Sequence, residues 1–125
     1  MIPAQLSEEV NELSKDGNSI EIIEAEGWLN VVWHNFHLPN GYSKQATDLL
    51  LKISLSYPNG KPDMFWTEEA LTLADGRVPQ KAEVIENALG KRWRRFSWHA
   101  QTWTPATDDL FTYVEFVRQR LAKMG

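Results

Sequence analysis

The sequence predicts an α+β domain in which helices lie against one face of an antiparallel sheet. Three observations lead to this fold class. Apolar residues recur at helical spacing near both ends of the chain, whereas between the ends they alternate with polar residues, as they do in strands. Turn signals such as Asp16-Gly17 and Asn40-Gly41 separate these segments. A length of 125 residues suits one core, so we expect residues 1–125 to form a single domain.

Helices are expected at both ends of the chain and once between them. We predict that Ser7 caps the first helix and that Thr104 and Pro105 begin the last one, as its cap and its first residue. A third helix is predicted over Gln80–Lys91, where Gly90 stands near the end. The apolar faces of the terminal helices are predicted to contain Leu6, Val10 and Leu13, and Leu110, Val114, Val117 and Leu121, respectively.

Three or four strands are expected to form an antiparallel meander. Two of them, about 20–26 and 28–38, flank Gly27; a third covers about 47–57 and a short fourth covers 64–66. Strict alternation in the second strand predicts two opposite faces, with Leu29, Val31 and Trp33 on one and Val32, His34 and Phe36 on the other. Alternation in the third predicts one buried face, made of Leu49, Leu51, Ile53, Leu55 and Tyr57.

The composition excludes several kinds of chemistry. The chain has no cysteine, which rules out disulfides, zinc–thiolate sites, iron–sulfur clusters and thiol catalysis. Its formal net charge is -4, so the protein as a whole is not an obvious binder of polyanions. No segment is long and apolar enough to span a bilayer, and the start lacks the pattern of a signal peptide. We therefore expect a cytoplasmic protein without a membrane partner.

The histidines do not indicate a metal site. His34 and His37 are an odd number of positions apart, so on a strand they should face opposite sides of the sheet. No third histidine or acidic residue stands at a convincing spacing from them. We expect neither a metal ion nor another cofactor.

Two motifs and the order of the elements resemble those of ubiquitin-conjugating enzymes. The segment Tyr57–Phe65, with sequence YPNGKPDMF, is similar to the Tyr-Pro turn that leads into the last meander strand of that family. Thr102–Ala106, with sequence TWTPA, is similar to its Trp-Ser-Pro-Ala helix start. The resemblance extends from Ser7 to Lys123. It implies a UBC-like fold with an N-terminal helix, an antiparallel strand meander, a long active-site-like segment and a C-terminal helix.

Three further stretches resemble, more narrowly, a bacterial ubiquitin-conjugating-like family. They are Asp63–Trp66, Leu73–Arg77, and Trp98-His99 together with Trp103. This resemblance implies a role in a bacterial ubiquitin-like modification pathway, with a ubiquitin-like protein and an activating-enzyme-like protein as partners.

The chain departs from the family pattern at the expected active site. The resemblance places the family's catalytic cysteine near Arg94–Phe96 and its His-Pro-Asn element near Leu73–Pro79, and neither is present. Carriage of a modifier as a thioester of the usual kind is therefore excluded for this sequence.

Ser97 and His99 stand close to the expected position of that cysteine. A serine hydroxyl is a useful nucleophile only when a base takes its proton, and a histidine suits this work. Residues two apart in an extended segment point the same way, so the two side chains could meet, with Asp75 as a possible orienter of the imidazole. The hydroxyl would then carry the modifier as an oxyester. In the alternative interpretation, His99 is held in an aromatic cluster between Trp98 and Trp103, and the protein is a non-catalytic adaptor.

The same region contains a basic and aromatic run. Arginines beside aromatic rings can bind phosphates and bases, and they can equally dock an acidic protein surface. The candidate binding residues are Arg92, Trp93, Arg94, Arg95 and Trp98. The negative net charge favours protein docking over a nucleic-acid-binding module built on Lys91–Trp98. A plain protein-interaction domain, whose tryptophans face inward and whose arginines face water, is a further alternative.

Overall fold

The computed structural model describes residues 2–100 and 102–123 of the chain. Within these residues, the chain forms an α-helix, then the six strands of an antiparallel sheet, and then a second α-helix. The elements are α1 (Ala4–Ser14), β1 (Ser19–Ala25), β2 (Trp28–His37), β3 (Ala46–Ile53), β4 (Phe65–Glu68), β5 (Val84–Ala88), β6 (Lys91–Phe96) and α2 (Leu110–Lys123). Their order in the sheet is β1-β2-β3-β4-β6-β5, so only β5 and β6 exchange places relative to the chain. The predicted α+β layout with a helix at each end is confirmed.

Both helices lie against the same face of the sheet and bury the main hydrophobic core with it. Val31 of β2 and Leu49, Leu51 and Ile53 of β3 point to this face. Burying a side chain of this size stabilises the fold by about 1.5–3 kcal/mol. The residues predicted for the apolar helix faces all join this core: Leu6, Val10, Leu110, Val114, Val117 and Leu121 are buried, and Leu13 is partly buried.

A buried carboxylate connects the two helices at the edge of this core. Glu9 of α1 is 8% exposed, and one of its oxygens accepts hydrogen bonds from the Tyr57 hydroxyl and from the backbone N–H of Leu110, at 3.2 Å for the latter. The other oxygen accepts a 2.9 Å hydrogen bond from Gln5. Because Leu110 is the first residue of α2, Glu9 satisfies an N–H group that the helix itself leaves unpaired.

The opposite, helix-free face of the sheet has a smaller core of its own. Its buried residues are Val32, Leu50, Trp66, Ala88 and Trp93. The sheet curls around them: the carboxylate of Glu26, in the β1–β2 turn, accepts a 3.1 Å hydrogen bond from the backbone of Leu89, in the β5–β6 turn. These two turns meet although β3 and β4 separate β2 from β6 in the sheet. Leu50 is therefore buried as fully as its neighbours Leu49 and Leu51.

The prediction of a helix over Gln80–Lys91 is wrong. This stretch forms β5, a two-residue turn and the first residue of β6, with Ala88 paired to Lys91. Leu89 and Gly90 both have positive φ, of 53° and 78°, which is the backbone that tight hairpin turns require and that a helix excludes. Apolar residues spaced three and four apart imitate a helix here, but the pairing of β6 with β4 determines the structure.

Strict strand alternation fails at two positions. A bulge between Trp33 and Phe36, with Asn35 at a φ of 57°, turns both aromatic rings to the helix-covered face, where they meet edge to face at 5.0 Å. Phe36 therefore lies with Trp33 and not opposite it, because a bulge inserts one residue into the alternation. The third strand ends at Ile53, so Leu55 lies beyond it and is 52% exposed.

The predicted helix starts are displaced. Ser7 lies inside α1, whose first residue is Ala4. At the other end, residues 104–107 form a separate turn, and α2 begins only at Leu110. Asp109 caps α2 by accepting a 3.0 Å hydrogen bond from the backbone of Thr112, while the Thr112 hydroxyl accepts one from the Asp109 backbone. This reciprocal capping box is a stronger signal than the Thr104-Pro105 pair.

Candidate functional site

The segment after β6 lies alongside the loop before β4, and this pairing builds the candidate site. Three successive contacts hold the two stretches together. The backbone N–H of Met64 donates to the carbonyl of Trp98 at 3.1 Å, and the Lys61 ammonium donates to the carbonyl of Ala100 at 3.1 Å. Between them, the Nδ1 atom of His99 lies 2.6 Å from a carboxylate oxygen of Asp63. The segment 98–100 is thus fixed by contacts along its length.

Asp63 is the residue that orients His99. A carboxylate only accepts hydrogen bonds, so Nδ1 is the donor in this contact and Nε2 of the neutral ring is left as the basic nitrogen. No described residue bonds to Nε2, and the His99 side chain is 56% exposed. The ring is therefore prepared to take a proton from a group that approaches from solvent.

Asp75, the carboxylate considered from the sequence as an orienter, lies elsewhere. Its oxygens accept hydrogen bonds from the backbone and the side chain of Arg77, at 3.1 and 2.7 Å. These contacts with Arg77 lower the pKa of Asp75. The interpretation that Asp75 serves His99 is wrong.

Ser97 is held by residues other than His99. Its hydroxyl oxygen accepts a 3.1 Å hydrogen bond from Nε of Arg95, and its backbone N–H donates to the carbonyl of Lys81 at 2.9 Å. Among the described residues, no hydrogen bond joins the Ser97 hydroxyl to the imidazole of His99. The structure brings both residues into one segment but does not align them as nucleophile and base.

The arginines of the basic run are all engaged within the protein. Arg92 pairs with Glu69 at 2.8 Å and Arg95 pairs with Glu86 at 2.8 Å. Arg94 donates to the backbone carbonyl of Ala82 at 2.7 Å, and it also donates to that of Glu69. Arg92 is the most open of the three, with a side chain 61% exposed. The local positive charge is thus largely balanced by neighbouring carboxylates.

The two tryptophans of the run have different environments. Trp93 is 1% exposed, and its indole N–H donates to the carbonyl of Ala88 at 3.0 Å. Its ring is therefore part of the smaller core on the helix-free face. Trp98 is partly buried, and its ring has two cations nearby, Lys81 at 5.2 Å and Arg120 at 4.7 Å from its centre. Contacts of this kind contribute about 0.5–1 kcal/mol each at exposed sites.

The region where the resemblance places a cysteine is an ordinary part of a strand. Arg94–Phe96 belongs to β6, and Phe96 is 1% exposed. Its ring stacks on Phe65 of the adjacent strand β4 at 4.9 Å. Of these three residues, Phe96 faces the main core, and the side chains of Arg94 and Arg95 make the polar contacts given above.

The described residues contain no group of three or more histidine or acidic side chains arranged for a metal ion. His34 lies instead between two carboxylates, with Glu21 at 3.3 Å and Asp48 at 3.5 Å.

Within the described part of the chain, no helix has the length and apolar character that crossing a membrane requires.

Sequence reasoning missed Asp63, Lys61, Lys81 and Arg120. Asp63 follows a proline turn and carries no periodic signal of its own. Its proximity to His99 depends on β6 pairing directly with β4, and the erroneous helix over residues 80–91 concealed that pairing. A hairpin turn predicted at Leu89-Gly90 would have indicated this strand pairing.

Comparison with protein families gives a match over nearly the whole chain. Residues 6–124 match the family described as prokaryotic E2 family E. No curated protein and no solved structure matches the chain. The matched region includes all but the first two residues of α1, the whole sheet, α2 and the Asp63–His99 pair. The chain therefore belongs to prokaryotic E2 family E, a family of bacterial ubiquitin-conjugating-like proteins.

Proposed function

We propose that the protein is a non-catalytic adaptor of a bacterial ubiquitin-like modification pathway in the cytoplasm. It binds a ubiquitin-like protein and an activating-enzyme-like protein and positions the modifier without carrying it. The family assignment supports partners of these two classes in general. One observation carries the adaptor role. The chain has no cysteine, and the Ser97 hydroxyl, next in sequence to the expected position, accepts a hydrogen bond from Arg95, while no hydrogen bond between described residues joins it to the base His99.

The binding surface in this proposal consists of Arg92, Arg94 and Trp98. Of the other candidate residues, Arg95 and the buried Trp93 point to the opposite face of β6. Arg92 is its most exposed arginine, and the partly buried ring of Trp98 has two cations nearby. Aromatic and arginine side chains are the residue types that contribute most at protein interfaces. An acidic surface on the modifier or on the activating enzyme would compete with Glu69 for Arg92.

The test is a binding titration followed through amide NMR signals of this protein. Arg92→Glu is expected to weaken binding of the ubiquitin-like protein or of the activating-enzyme-like protein by about tenfold, because it replaces an attraction with a like-charge repulsion. Arg77→Glu is the matched control, since Arg77 is also an exposed arginine paired with a carboxylate and is not part of the proposed surface. Equal affinities for wild type and Arg92→Glu would rule out this surface as the docking site.

Carriage of the modifier on Ser97 is the second candidate, and the Asp63–His99 pair favours it. In this mechanism the hydroxyl oxygen attacks the activated carboxyl carbon of the modifier, and its proton passes to Nε2 of His99. The imidazolium then returns the proton to the leaving thiolate of the activating enzyme, and the new bond is an ester. Arg95, whose Nε lies 3.1 Å from the hydroxyl oxygen, would stabilise that oxygen as it gives up its proton. The imidazole must first rotate or shift towards Ser97, and this movement distinguishes the second candidate from the first.

A nucleic-acid-binding role for Lys91–Trp98 has less support. Lys91, Arg92 and Arg95 each lie within 4 Å of a carboxylate of this chain, so phosphate groups would have to displace those partners. A plain interaction domain outside any modification pathway would bind neither the modifier nor the activating enzyme.

A further inference from the structure

A pocket on the helix-free face of the sheet adjoins the Asp63–His99 pair. Its volume is about 240 Å³. The strands contribute Trp28 from β2, Lys52 from β3, Trp66 from β4 and Glu86 from β5, and the loop before β4 contributes Lys61, Asp63 and Met64. The pocket is smaller than the range of about 300–1,000 Å³ that is typical of drug-sized ligands. It has room for a group about the size of one amino-acid residue.

The walls of the pocket are aromatic and built into the fold. Trp66 is 3% exposed and its indole N–H donates to Glu86 at 2.8 Å, so its ring has a fixed orientation. Trp28 stands at the start of β2 and is 41% exposed, which is unusual for a ring of this size. A flat or branched apolar group between these rings would bury the exposed surface of Trp28.

The charges around the pocket favour an anion. Both lining carboxylates already have cationic or donor partners, since Glu86 pairs with Arg95 and Asp63 contacts His99. Lys52 forms no salt bridge with any described residue, and its ammonium lies 4.6 Å from the centre of the Trp66 ring. Lys61 is bound only to the Ala100 carbonyl, again within the described part of the chain. The lining therefore has two ammonium groups that form no salt bridge with the described residues, in a protein whose net charge is -4.

We propose that this pocket binds a carboxylate attached to an aromatic or branched apolar group of about one residue in size. The apolar group lies against Trp28 and Trp66, and the carboxylate binds the ammonium of Lys52 with help from Lys61. A charge-assisted hydrogen bond of this kind is stronger than a neutral one. Such a ligand has two sources, a free aromatic acid or the last residue of a peptide chain. The proposal does not depend on the adaptor role or on ester chemistry at Ser97.

The experiment uses N-acetylphenylalanine as the probe and the indole N–H signals of Trp28 and Trp66 as reporters in NMR. The acid should shift both signals at millimolar concentration, and the uncharged amide of the same compound should bind at least about fivefold more weakly. Lys52→Gln should weaken binding of the acid by a similar factor, whereas Lys52→Arg should retain it. Lys15→Gln, which changes an exposed lysine of α1, is the control.

Each outcome either supports the proposed ligand chemistry or overturns it. Equal binding of acid and amide, unchanged affinity in Lys52→Gln, or no shift of the two indole signals would overturn the proposal. Trp28→Ala provides a second test that does not alter charge: it should weaken binding of the acid, and because Trp28 is 41% exposed the variant should remain folded. A glycine-extended peptide ending in phenylalanine that binds tighter than the single residue identifies a peptide terminus as the source. Equal affinity of the two identifies a free acid, and both results support the chemistry.

Discussion

The Nδ1 atom of His99 and the carboxylate of Asp63 lie 2.6 Å apart and join the segment after β6 to the loop before β4. This contact determines which ring nitrogen carries the proton in the neutral imidazole, because the carboxylate can only accept. It also places the basic nitrogen of the ring on the solvent side of the site. The ester-forming interpretation of the site uses this basic nitrogen, but the ring must first move towards Ser97, whereas the docking surface does not involve it.

We expect His99 to populate the Nδ1–H tautomer when its ring is neutral, and Asp63→Ala to shift the ring toward the Nε2–H form that is common in water. Ring-nitrogen chemical shifts measured by NMR distinguish the two tautomers. Asp75→Ala is the matched control and should leave the His99 signals unchanged, because Asp75 contacts Arg77. A wild-type ring in the Nε2–H form would contradict the geometry of the site.

Glu9→Gln is expected to lower the free energy of unfolding by about 1–3 kcal/mol. The variant weakens the hydrogen bonds that the buried carboxylate accepts from Tyr57 and from the first N–H group of α2. Urea unfolding measures the effect. Glu12→Gln removes an exposed carboxylate of the same helix that pairs with Lys15, and it should change stability by less than about 0.5 kcal/mol. Equal stability of the two variants would show that Glu9 has no special role.

The protein should lose stability in alkali because its buried tyrosines resist ionisation. Burial raises the pKa of Tyr42 from 10.0 to about 12, and its hydroxyl donates to the carbonyl of Leu121. A group whose pKa is higher in the folded state stabilises the fold below the unfolded pKa, and this stabilisation is lost as the pH rises through the folded value. The free energy of unfolding should therefore fall between about pH 10 and pH 12.

Burial raises the pKa values of Tyr57 and Tyr113 as well, so they should contribute to the same loss. Urea unfolding at several alkaline pH values, followed together with tyrosinate absorbance, measures the loss and its cause. Tyrosinate absorbance that appears near pH 10 without unfolding would show that these hydroxyls are accessible to solvent.

The extent to which this fold can be predicted from sequence differs between its elements. The turn at Gly27 and the apolar face of α2 are encoded locally, by a residue tolerant of positive φ and by helical periodicity, and both were predicted. The β5–β6 hairpin was not, because Leu89 is a poor residue for its φ of 53°, and distant contacts stabilise the turn, namely the pairing of β6 with β4 and the hydrogen bond from Leu89 to Glu26. Ser97 and His99 were predicted to lie in one segment. The partner of Ser97, Arg95, is only two residues away, whereas the partner of His99, Asp63, is 36 residues away and follows from the tertiary structure.

Nucleic acid should bind weakly, if the arginine run is a protein-docking surface. Fluorescence anisotropy with a labelled single strand at physiological salt is expected to show no saturable binding below about 100 micromolar, the weak end of non-specific affinities. The variant Glu69→Gln releases Arg92 from its partner and should increase binding modestly at low salt. Tight binding by the wild type, with a steep dependence on salt, would favour the nucleic-acid module.

The most direct test of the adaptor proposal is the intact mass of the protein after incubation with the activating-enzyme-like protein, the ubiquitin-like protein and ATP. The wild type should keep its own mass while still binding the modifier, because no thiol is present and Ser97 is not aligned with His99. The variant Ser97→Cys tests whether the site can accept the modifier once a better nucleophile is present. A mass increase equal to the modifier, released by hydroxylamine and absent from Ser97→Ala, would contradict the adaptor role and make the protein an oxyester carrier.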